Sequence, residues 1–209
     1  MSQPSGFAKP PRRVPRQERG ERRVAEVLEA AAAVIAEVGY EAATMTAVAE
    51  RAGASIGAVY QYFPNKDAIV VALRDQYGDE MRGLWSQVVA EAASLSIREL
   101  IDGMLREITV FIEGHPAYFA LSDAPVPKHK NHAARSRLRA GFAEAFRRKQ
   151  PSLSEDEALR IARVAVEITK AMNGVYAEAK PKERQAVVAE FTLALVGYLE
   201  ARLAPRASP

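Results

Sequence analysis

The sequence predicts an all-α protein of about nine helices, and three observations carry that prediction. Apolar residues recur at three- and four-residue intervals along most of the chain. Helix starts are marked by Thr, Ser or Asn, twice with a Glu three residues later, at Ser96–Glu99 and Ser154–Glu157. Helix ends are marked by Gly or Pro.

Residues 1–17 are proline-rich, polar and without period, and read as a disordered arm. The arm and the next helix start carry Lys9, Arg12, Arg13, Arg16, Arg19, Arg22 and Arg23 against Glu18 and Glu21. Such an arm suits an A·T-rich minor groove, or serves only as a solubilising tail. The first helix spans Arg22 to Val38, with Val24, Val27, Leu28, Ala31, Ile35 and Val38 on one face and Gly39 as its stop.

The next stretch, Thr44 to Lys66, reads as two short helices joined by a tight turn. Thr44 is the first N-cap, and Val48, Ala49 and Ala52 form an apolar face. Gly53 ends that helix in the left-handed conformation glycine tolerates. Ser55 caps a second helix, Ile56 to Phe63, with Val59 and Phe63 four apart, and Pro64 ends it. Helices joined so closely cross steeply, which is the geometry of a helix-turn-helix or of an ordinary αα-corner. In the former the second helix enters the DNA major groove. Its outward residues are then Ile56, Gly57, Ala58, Tyr60, Gln61 and Tyr62. Tyr60 and Tyr62 suit phosphate oxygens, Lys66 adds charge, Gln61 has a head suited to adenine, and Ile56 and Ala58 suit thymine methyls.

Asn65 caps a long helix, Asp67 to about Ala93, with Ile69, Leu73, Tyr77, Met81, Leu84 and Val88 in a stripe widened by Trp85 and Val89. It spans on the order of 40 Å, long enough to act as a lever between two domains. The capping box at Ser96 opens a helix to Glu113. Pro116 opens a short one through Asp123, residues 124–127 form a loop, and Lys128 to Gln150 is a basic helix. The second capping box opens a helix to about Lys180, and Pro181 starts the last, to about Leu203. These last two helices carry apolar stripes wide enough for burial on two sides, against the core and against a partner. A deeply buried hairpin in a monomer is the alternative.

The remaining composition narrows the function. Half the chain, 48%, is apolar, cysteine is absent, and the formal charge is only +3. Thiolate chemistry is therefore excluded, and DNA binding has to rest on charge distribution. No apolar run reaches membrane-spanning length and no signal-peptide core opens the chain, so a cytoplasmic protein without membrane contact is expected. There is no P-loop, dinucleotide fingerprint, G-x-S-x-G or H-E-x-x-H, so neither an enzyme nor a cofactor is expected. His115, His129 and His132 read as surface histidines and not as a metal site. The basic run from Lys128 to Lys149 reads as a solvated helix face.

The string ATMTAVAERAGASIGAVYQYFPNKDAI, within residues 22–75, resembles the DNA-binding segment of TetR-type transcriptional repressors. The resemblance implies an N-terminal three-helix helix-turn-helix domain, residues 18–66, and a C-terminal effector-binding and dimerisation domain, residues 67–204, before a tail at 205–209. By this resemblance Thr44, Tyr60, Tyr62 and Lys66 hold phosphates, and Thr46, Ile56, Gly57, Ala58 and Gln61 face base edges, with Ser55 completing the surface. Many members carry Lys or Arg at the position of Ile56 or Thr46; this chain does not, which argues against strong guanine readout.

The resemblance further implies a homodimer on a double-stranded, palindromic operator, released by a small-molecule effector. Pocket residues of suitable character are Trp85, Met104, Ile108, Phe111, Tyr118, Phe119, Phe142, Phe146, Met172, Asn173 and Tyr176. Asn173 stands out, because a buried amide needs a partner. Dimer-interface candidates on the last two helices are Ile161, Ala165, Ile168, Met172, Val188, Phe191, Leu195, Tyr198 and Leu199. An effector-independent regulator or activator of the same fold is the alternative, and a helical enzyme or partner-binding bundle a further one.

Overall fold

The structure, a computed structural model, describes residues 16–126 and 132–204. The arm up to residue 15, His129 and the tail at 205–209 lie outside the described residues. Nine helices occur among those described: α1 (Arg16–Ala42), α2 (Met45–Arg51), α3 (Ile56–Tyr62), α4 (Lys66–Glu91), α5 (Ile97–Gly114), α6 (Tyr118–Asp123), α7 (His132–Lys149), α8 (Glu155–Glu178) and α9 (Arg184–Leu203). One continuous apolar core runs from Val27 in α1 to Leu203 in α9.

Helix α1 starts six residues before the predicted Arg22. Its added turns hold Glu18, Arg19 and Glu21, all helix formers without an apolar period, with Glu18 placed well for the N-terminal dipole. The helix breaks at Gly39, where φ is +77°. Val38, expected on the buried face, is 52% exposed beside that break, and Val34 is buried in its stead. Thr44, Ser55 and Asn65 each cap their helix, accepting from the amides of Ala47, Ala58 and Ala68 at 3.1, 3.2 and 2.9 Å. Gly53 adopts φ +57° in the α2–α3 turn. Phe63 is extended, as a residue before proline prefers, and its ring is buried.

The long helix α4 buries Ile69, Leu73, Tyr77, Met81 and Trp85. Steps of four residues drift by about 40° each, so the buried line winds about 160° around the helix from Ile69 to Trp85. The two ends of α4 thus bury nearly opposite sides, one into the α1–α3 unit and one into the helical body. Leu84 falls off this winding line and is largely exposed, against the predicted stripe. Both capping boxes form as predicted. Helices α6 and α9 begin two and three residues later than expected, because Pro116–Ala117 and Pro181–Glu183 form turns.

Candidate nucleic-acid interface and the cavity behind it

Helix α3 is held by its inward side and leaves the other side bare. Val59 is fully buried, while Ile56, Gly57, Tyr60, Gln61 and Tyr62 are exposed, Tyr60 by 50%, and Ala58 is half-buried. Thr44, Thr46 and Ser55 are exposed on the same side of the motif. The Thr44 and Ser55 hydroxyls accept cap hydrogen bonds and still have a proton to give a phosphate oxygen. A Cβ built on Gly57 meets nothing within 4 Å, so the protein itself does not require glycine there.

Polar groups behind α3 fix the unit. Arg23 on α1 donates to the carbonyls of Ala52 and Gly53 at 3.5 and 3.4 Å, closing the α2–α3 turn. Arg51 pairs with Glu37 at 2.5 Å and holds that carboxyl below its usual range. Lys66, predicted at a phosphate, donates to the carbonyls of Tyr40 and Glu41 at 2.5 and 3.1 Å and lies over the Tyr40 ring. It is thus engaged in tying α4 to the end of α1. The Tyr40 hydroxyl donates to Asp67 at 2.6 Å, which together with burial pushes its phenol up to about 12.

Behind this unit, α4, α5, α6, α7 and α8 enclose an apolar cavity of about 420 Å³. That lies within the size range of small-molecule sites. Of the eleven predicted pocket residues, Trp85, Ile108, Tyr118, Phe119, Phe142 and Asn173 line it. Met104, Phe111, Phe146, Met172 and Tyr176 are buried elsewhere in the core, because aromatic or sulfur character does not distinguish a cavity wall from filled packing. Tyr176 hydrogen-bonds Glu113 across to α5, at 3.2 Å, with Arg184 over its ring. Tyr77, Leu138, Val166, Thr169 and Arg74 were missed. Arg74 had a signal: a cation at helical spacing between Val70 and Tyr77, inside an apolar stripe. Its guanidinium donates to the carbonyls of Leu121, Ser122 and Ala124 at 2.7, 3.2 and 2.8 Å, clamping the end of α6 onto α4.

The dimer-interface candidates fall into two groups. Ile161, Ala165, Met172, Leu195 and Leu199 lie in the chain's own core, and Ile168, Val188, Phe191 and Tyr198 are half-buried against it. The two helices do carry a second apolar face. Val164, Val175 and Leu193 are exposed on it, Leu193 by 60%, with Ala171, Ala189 and Gly197 between them. The basic run on α7 is largely spent within the chain: Arg137 pairs with Asp75 and Asp79, and Arg148 with Glu144.

A helix-turn-helix carried on a helical body defines a class, the DNA-binding transcription regulators. The sequence pattern described as "Bacterial regulatory proteins, tetR family" matches residues 27–73, and that of the "Tetracyclin repressor-like, C-terminal domain" matches residues 96–199. The chain belongs to the TetR family and is a DNA-binding transcription regulator. A TetR-family transcriptional regulator from Streptomyces coelicolor superposes with a TM-score of 0.68 at 26% identity, over 86% of this chain and 98% of that one. A putative transcriptional regulator from Pseudomonas aeruginosa shares the fold, with a TM-score of 0.64 at 16% identity over 88% and 92%. The HTH-type transcriptional repressor KstR of Mycolicibacterium smegmatis is 46% identical over 46 residues. That alignment spans 22% of this chain and 22% of the repressor. No described helix is long and apolar enough to cross a membrane.

Proposed function

We propose that the protein is a cytoplasmic, non-enzymatic repressor that binds a palindromic operator as a homodimer and is released by a small molecule. The observation that carries this is α4, one unbroken helix with one end in the helix-turn-helix core and the other in the wall of the cavity. Occupancy of the cavity shifts the operator-binding equilibrium only if the two conformers bind the effector unequally. The Arg74 clamp supplies a route, because α6 cannot move without pulling on α4. The exposed face of α8 and α9 suits pairing with a second copy, and a two-fold dimer places its reading helices about 34–36 Å apart, one turn of DNA. On the DNA, Tyr60, Tyr62, Thr44 and Ser55 serve phosphates, and Gln61, Ile56, Gly57, Ala58 and Thr46 face base edges. Lys66 acts through α1. The cavity favours this reading over an effector-independent regulator.

The test is selection of genomic fragments by the purified protein at a stated salt concentration. One palindromic site should be recovered, bound by two chains. Weak, salt-sensitive binding without sequence preference sinks the proposal. Arg74→Met, which keeps the apolar stem, should retain operator binding but lose release by any effector that the unaltered protein answers to. Unchanged release would remove the clamp from the route.

A further inference from the structure

We infer that the cavity selects a neutral, largely apolar molecule that donates one hydrogen bond, such as an alcohol, to Oδ1 of Asn173. The inference rests on the effector-site reading above and names the chemistry of its occupant.

The cavity wall is mostly aromatic and aliphatic, and several of its polar groups are satisfied within the protein. Trp85 Nε1 donates to the Met104 carbonyl at 3.0 Å, and Thr169 Oγ1 to the Ala165 carbonyl at 2.9 Å. The Arg74 guanidinium is taken up by the α6 carbonyls. Among the described lining residues, Asn173 holds the one fully buried side-chain polar atom without a partner. The residue is only 9% exposed, and its Nδ2 donates to the Tyr118 hydroxyl at 2.8 Å. Its Oδ1 is buried and accepts no hydrogen bond from the described residues. A buried acceptor left unmade bears its full desolvation cost, and a ligand that supplies the donor recovers it. With Nδ2 committed to Tyr118, the oxygen is the amide atom left for a ligand that reaches this wall residue. Burial pushes the Tyr118 phenol up, which keeps this partner neutral.

An anion fits this site poorly, because a carboxylate or phosphate oxygen has no proton to give the acceptor oxygen of Asn173. The lining acids Asp123, Glu167 and Glu178 face the lining cations Arg74 and Lys170, and Glu167 pairs with Arg139 at 3.6 Å, so the rim is nearly balanced in charge.

Trp85 is the chain's single tryptophan and lies in the cavity wall, so its fluorescence reads occupancy in the full chain without DNA. The probes are 1-octanol, its methyl ether and octanoate. The alcohol should bind about tenfold tighter than the ether, which accepts but cannot donate, and octanoate should bind weakest. In Asn173→Leu the alcohol and the ether should bind within about twofold of each other. The alcohol–ether comparison in the unaltered protein decides the matter even if that variant fails to fold. Equal binding of alcohol and ether, or tightest binding of octanoate, overturns the inference and leaves the effector site standing. No fluorescence change with any of the three overturns both.

Discussion

The two ends of α4 sit in unlike surroundings. The N-terminal end enters a small unit of short helices, where Val59, Ile69 and Val70 are almost wholly buried. There the starts of α2, α3 and α4 are capped, and Arg23, Arg51 and Lys66 tie helices together from behind. The C-terminal end borders a void, with aromatic walls and an amide oxygen that has no donor. A unit that must present α3 in one pose gains from close packing and saturated hydrogen bonds. A body of the kind proposed, one that admits a molecule, gains from a gap and a polar group awaiting a partner. The difference teaches that close packing and open space are separated along one helix, and not blended through the chain.

The sharpest way to break that comparison is the same deletion at both ends. Ile69 and Ile108 are both buried, but only Ile108 faces the cavity. Ile69→Ala should cost about 4 kcal/mol, near the upper end for such deletions, because its neighbours are packed on all sides. Ile108→Ala should cost about 2 kcal/mol, since a side chain facing a void has fewer contacts to lose. Urea denaturation of both variants measures this, and equal losses would mean the body is packed as tightly as the head.

The contrast also explains what was legible in the sequence. The head rests on local signals: a hydroxyl or amide before α2, α3 and α4, glycine at Gly53, proline after Phe63. Each acts within a few residues, so caps and turn could be placed from the chain alone. The body depends on how distant helices meet. Asn173 stood out as a buried amide, but its Tyr118 partner lies 55 residues away. Whether Phe142 borders a void while Phe146 fills the core is decided by α4 and α8, not by the residue. The same limit holds for α8 and α9, because periodicity finds apolar faces without saying which one the core takes.

A smaller effect sharpens the comparison inside the head. Ser55→Ala removes the cap of α3 and should cost about 1 kcal/mol. Its loss of operator affinity should exceed that expected from stability alone, since the same hydroxyl faces the proposed phosphate. Equal DNA affinity at saturating folded protein would confine Ser55 to capping.

Gly57→Ala should move stability and binding in opposite directions. The position is helical, exposed and unobstructed, so alanine should stabilise the free protein by about 0.5–1 kcal/mol. The added methyl should lower operator affinity by keeping α3 from the floor of the groove. Undiminished DNA binding would show that Gly57 is not at the closest approach.

The smallest expected effect is a pH dependence that one hydrogen bond of the head should produce. The Tyr40 phenol donates to Asp67, and this bond, burial and the carboxylate's charge raise it to about 12, against about 10 in an unfolded chain. A group raised on folding contributes stability that is whole below the unfolded value and is lost as pH climbs through the folded one. The Tyr40 contribution should therefore persist to about pH 10 and fade between about 10 and 12. Tyr40→Phe lacks the titrating proton, so its urea midpoint should fall less steeply over that range than that of the unaltered protein. Lysines titrate there in both proteins and cancel in the difference. Parallel curves would mean that the Tyr40–Asp67 bond does not bind α4 to α1 in solution, and that the head owes its rigidity to Lys66 and the apolar core.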